Sequence, residues 1–130
     1  MENMFCFQCE QTAGSVACRG KAGVCGKKEN TANLQDALTS ALISLACVAK
    51  ENAMNVTEQT HRIILEGLFT TVTNVSFDDA AISRQIEITK NETEKLNRNK
   101  SDYKAYEMEN IWQANEDIRS LKSLILFGLR

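Results

Sequence analysis

"TANLQDALTSALISLACVAK", residues 31–50, decides the fold class. Leu34, Leu38, Ala41, Leu42, Leu45 and Ala49 recur at steps of three and four, which lines them along one face of a helix. Asn30 or Thr31 is the expected N-cap. The same period returns in "NVTEQTHRIILEGLFTTV" (55–72), with Thr57 as cap and Ile63, Ile64, Gly67, Leu68 and Val72 as the apolar face. A third helix opens in "SFDDAAISRQIEITKNETEKLNRNK" (76–100), where Ser76 and Asp79 form an S-x-x-D start signal. Ala81, Ile82, Ile86 and Leu96 line its inner side, and the charged run 90–100 is expected to be a solvated face.

Proline is absent from the chain, so no break interrupts these patterns, and strand-like alternation never persists. The expected fold is all-α: an antiparallel three-helix bundle over residues 30–101. An irregular cysteine-rich loop, residues 1–29, precedes it, and residues 102–130 form a connector and the start of a further helix. These pieces are expected to make one structural domain. Within the connector, Tyr103, Tyr106 and Trp112 read as packing residues. In "NEDIRSLKSLILFGLR" (115–130), Asn115 caps the helix, and Glu116 and Asp117 suit its positive end. The apolar pattern stops at Arg130 without a C-cap, so the chain is expected to be truncated from a longer one. A weak echo between 34–43 and 121–130 is consistent with a second bundle beginning there.

Composition narrows the function classes. Across 130 residues the net charge is −2, with cations and carboxylates interspersed, which gives no basic stripe for nucleic acid. No window reads as a bilayer span, and the polar start Met1-Glu2-Asn3 is unlike a signal peptide, so a cytoplasmic, thiol-reducing location is expected. Five cysteines, an odd number, also fit poorly with a closed disulfide framework. The sequons at Asn55, Asn74, Asn91 and Asn99 are then chance matches.

Four of those cysteines fall in the head with the spacing Cys6-x2-Cys9-x8-Cys18-x6-Cys25. A C-x2-C pair reaches one metal centre from a single turn, and a returning loop can add two more thiolates. Soft sulfur ligands suit both zinc and iron–sulfur clusters. The second pair is too open for a zinc knuckle, so spacing leans toward a cluster while leaving zinc open. Gly14, Gly20, Gly23 and Gly26 supply the flexible backbone of a loop around such a centre.

The opening "MFCFQCEQT" (4–12), the "GVCGK" at 23–27 and the "LQD" at 34–36 resemble the hybrid cluster proteins, also called prismane proteins or hydroxylamine reductases. "ANEDIRSLKSLILFGLR" (114–130) resembles the start of a later helix of that family. The resemblance implies a [4Fe–4S] cluster, or a [2Fe–2S] cluster in some members, held by Cys6, Cys9, Cys18 and Cys25. It also implies a second, hybrid iron–sulfur–oxygen cluster in further domains, where hydroxylamine or nitric oxide is reduced, and whose ligands this sequence lacks. The implied partners are those remaining domains and a redox donor protein, with no nucleic acid and no membrane. A homodimer through an uncovered final helix is a further expectation. The alternatives are a small structural zinc-binding interaction domain and a helical scaffold with empty thiols.

Other chemistry-bearing residues have plainer readings. Cys47, on the apolar side of the first helix, reads as a buried small hydrophobe. His61, the lone histidine, lacks companions for a site. Asp78 and Asp79 are helix-start acids. No catalytic residue is expected in this chain.

Overall fold

The computed structural model describes residues 4–6, 17–72, 77–97, 111 and 113–129. Two short strands come first, β1 (Phe5–Cys6) and β2 (Cys18–Arg19). Four helices follow among the described residues: α1 (Glu29–Glu51), α2 (Glu58–Val72), α3 (Asp79–Leu96) and α4 (Glu116–Leu129). A 3-10 turn, Ala53–Asn55, joins α1 to α2. The all-α bundle expected from the periodicity is the observed architecture, with α1, α2 and α3 packed on one another.

Helix directions follow from which residues meet. At one end, Leu45 and Val48 from late α1 pack with Ile63 from early α2 and Leu96 from late α3. At the other end, Leu38 and Leu42 pack with Ile82 from early α3, with Leu34, Leu68 and Ile86 around them. Therefore α1 and α3 run parallel and α2 runs against both, an up-down-up bundle. Leu38, Leu45, Val48 and Ile82 are fully buried. Each such side chain contributes about 1.5–3 kcal/mol of transfer free energy. Gly67 lets α1 and α2 approach closely, because a Cβ there would fall 2.6 Å from Leu42 Cδ2.

The helix starts depart from the sequence reading in an instructive way. The N-cap of α1 is Lys28, in extended conformation and with no side-chain cap. Asn30 and Thr31 instead spend their side chains across the bundle, donating to Asp79 at 2.7 and 2.6 Å. These bonds, Thr31 first, with Lys28 nearby, hold the Asp79 carboxyl below its ordinary pKa. Asp78 caps α3, accepting from the Ala81 amide at 3.0 Å, in place of the expected Ser76–Asp79 signal; Ser76 lies outside the described residues. Thr57 does cap α2, through reciprocal bonds with Thr60 in a capping-box arrangement. Asn115 caps α4 by accepting from the Ile118 amide.

Two further expectations are corrected. The run 90–100 is not wholly solvated: Glu92 and Leu96 are buried, and Glu92 accepts from Thr60 Oγ1 at 2.6 Å. The reason is geometric, since Glu92 lies on the same helix face as Leu96 and Thr89. Helix α1 is long and apolar enough, by length and composition, to cross a membrane, although 61% of its most apolar window is buried inside the bundle. Burial against α2 and α3 accounts for that apolarity. The apolar residues Ile118, Leu121, Leu124 and Ile125 of α4 are exposed, as the uncovered final helix implied. Tyr103, Tyr106 and Trp112 lie outside the described residues.

Candidate metal centre

The cysteine head sits on the bundle end where α1 and α3 begin. Strands β1 and β2 pair antiparallel, with Phe5 opposite Arg19 and Cys6 opposite Cys18. Directly opposed residues of an antiparallel pair carry their Cβ atoms about 4.5–5.5 Å apart, so the register brings two thiols together. Met4, Cys18 and Ala32 form a buried cluster against which Cys6 packs, half-buried. The chain then turns tightly: the Gly23 amide donates to Lys27 O at 2.8 Å, and the Gly26 amide to Gly23 O at 2.9 Å. Gly26 has φ +85°, a left-handed conformation that presents the preceding Cys25 at the surface.

These pieces meet at Gly23. A Cβ placed there would lie 3.4 Å from Met4 Cε, 3.6 Å from Cys25 Sγ and 3.7 Å from Cys18 Cβ. Cys18 and Cys25 thus both lie beside one glycine, and Cys6 is joined to them only through its pairing opposite Cys18, while Cys9 lies outside the described residues. No disulfide joins Cys6, Cys18 and Cys25. Among the described residues, no group of three Cys, His, Asp or Glu side chains is drawn close enough to hold a metal ion. The donor set is nevertheless the right one for zinc or an iron–sulfur group, being soft thiols on a tight turn and a strand pair.

Lys27 holds the turn to the bundle. It is 1% exposed, and its Nζ donates to Gln35 Oε1 of α1 at 2.6 Å. The hairpin is tied on its other side to α4, where Arg19 forms an ion pair with Glu116. That hydrogen bond and charge, with Arg119 adding to it, hold the Glu116 carboxyl below its ordinary pKa. The guanidinium of Arg119 lies 4.3 Å from the centre of the Phe5 ring and that of Arg19 5.9 Å. Arg119 is not marked by the sequence pattern, because only the docking of α4 brings it to the cysteine-bearing strands.

Cys47 and His61 take no part. Cys47 is half-buried rather than buried and lies 12 residues beyond Gln35 on α1, roughly 18 Å away along the helix axis. His61 is exposed near the start of α2, at the end of the bundle away from the hairpin.

Fold and site together define a helical domain with a thiol-bearing loop at one end. The sequence pattern of the Prismane/CO dehydrogenase family matches residues 4–130, and the chain belongs to that family. The likeness read from its opening and closing residues therefore extends over the stretch between them. A hydroxylamine reductase of Clostridium perfringens is 37% identical over 98% of this chain, which covers 28% of that protein. One of Thermodesulfovibrio yellowstonii is 39% identical over 98% of this chain and 28% of its own length. One of Methanocella arvoryzae is 48% identical over 64% of this chain and 16% of its own length. The chain thus spans a little over a quarter of the first two relatives. No solved structure matches it.

Proposed function

We propose that this chain is the iron–sulfur electron-transfer module of a hybrid cluster protein that reduces hydroxylamine or nitric oxide. The observation that supports the reading is the pairing of Cys6 opposite Cys18 together with the approach of Cys18 and Cys25 to the same glycine, Gly23. The fourth ligand, Cys9, comes from the family resemblance. When bound, a [4Fe–4S] cluster, or in the alternative a [2Fe–2S] cluster, supplies one-electron relay. Reduction of substrate takes place in the additional length of the longer relatives, which supplies the hybrid-cluster ligands.

The chain's own residues do the positioning. The strand pair fixes the backbone of Cys6 and Cys18, and α1 holds the Cys25 turn through Lys27 and Gln35. Met4, Phe5 and Ala32 exclude water from the inner side of the loop. Cys25, exposed, marks the outer side, where a redox donor protein has access. A thiol-reducing cytoplasm is the compartment that keeps such ligands available.

Anaerobic reconstitution with iron and sulfide tests this. A brown protein with about four irons per chain supports the cubane, and about two the smaller cluster. A colourless protein that binds a single zinc ion through the same cysteines makes the electron-transfer reading wrong.

A further inference from the structure

The cysteine hairpin has two attachments of different kinds. One is local: Lys27 to Gln35, eight residues apart. The other spans most of the chain, because Arg19 pairs with Glu116 across 97 sequence positions. Beside that pair the Arg119 guanidinium covers the face of Phe5, the residue immediately before Cys6. Its distance of 4.3 Å is well inside the range of a cation–π contact. The Nε of Arg119 is buried with no hydrogen-bond partner among the described residues. A guanidinium donor withdrawn from water in this way is costly unless something replaces the solvent, and the ring face is what lies there. Phe5 is itself buried and stands opposite Arg19, the residue after Cys18. Both cysteines of the opposed pair therefore have a neighbour held by α4.

We propose that Arg119 is a positioning residue for the cysteine hairpin, using its stack on Phe5 to clamp Cys6 and Cys18 from α4. The clamp works through side chains alone and leaves the α1–α3 core untouched. It operates whatever the thiols hold; its effect on iron retention rests on the function proposed above. By linkage, holding the hairpin in place for a bound group also holds α4 against it.

The test is site-resolved alkylation of the full, metal-free chain with iodoacetamide, read by mass spectrometry, with Cys47 as the internal control. Arg119→Met keeps an apolar stem but removes the cation. It is expected to raise the labelling rates of Cys6 and Cys18 by about three- to tenfold and to leave Cys47 unchanged. Arg119→Lys, which keeps the charge, is expected to restore part of the protection. No change at Cys6 and Cys18 overturns the proposal. A parallel rise at all three thiols with a lowered melting temperature also overturns it, since Arg119 would then only support the fold. In a second arm, iron-loaded Arg119→Met should lose iron to a chelator several-fold faster than the parent chain; equal rates count against the clamp. If the parent chain takes up no iron, the electron-transfer reading fails while the alkylation result still decides the clamp.

Discussion

The two ends of this chain's sequence and its middle are held by different physics. The α1–α3 bundle closes on itself with two apolar layers, one around Leu45 and Leu96 and one around Leu38 and Ile82. The hairpin and α4 have no comparable layer between them among the described residues. Among the described residues they are joined by an ion pair and a guanidinium–ring contact, and Ile118, Leu121, Leu124 and Ile125 of α4 are exposed. A core of this kind resists change in proportion to buried area, whereas a surface clamp is marginal and can respond to what the thiols bind. The bundle is a platform, and the head thiols Cys6 and Cys18 sit on strands tied to α4 by these polar contacts.

The largest blow to that contrast comes from the core. Leu45→Ala should destabilise the bundle by about 2–5 kcal/mol in denaturant unfolding, because Leu45 is fully buried between three helices. A loss under about 1 kcal/mol would mean that the layer relaxes freely and the platform is not rigid. Thr60→Val removes the hydroxyl that donates to buried Glu92, and should cost about 1–3 kcal/mol in the same assay. Glu92 retains Lys95, 3.4 Å away, so the outcome measures how much the Thr60 bond matters in joining α2 to α3.

Smaller effects sharpen the comparison at the helix starts. Asp78→Ala strips the cap of α3 and should cost about 1 kcal/mol, while alkylation of Cys6 stays as it was. Least in size is a pH effect. The Asp79 pKa is lowered in the fold, so its contribution to stability is fully present above the ordinary aspartate range. It is lost as pH falls through the lowered value. Melting curves below about pH 4 should therefore fall less steeply for Asp79→Asn than for the parent chain. Equal slopes would show that the Thr31 and Asn30 bonds do not bias the carboxylate.

How much was legible depended on range. The period of three and four marked α1, α2 and α3, and Thr57 and Asn115 were found as caps because a cap bonds its own helix within three residues. Asn30 and Thr31 were misread as caps for the complementary reason. Their side chains are recruited by Asp79, some 48 positions away, which nothing local announces. Glu92 was assigned to solvent because charge dominates its neighbourhood in sequence, yet the helix face it shares with Leu96 turns inward. The four head cysteines were visible as a set from composition and spacing.

By itself, then, the sequence determined the helical class, the position of the thiol loop and its family likeness, all of which rest on local period and residue type. Tertiary structure alone decided that Cys6 faces Cys18 and that Arg119 lies on Phe5. Those pairings join segments far apart in the chain, and an antiparallel register or a helix docking angle is set by the whole packed molecule. A shift of one residue in that register would turn Cys6 to the opposite face and separate the thiols.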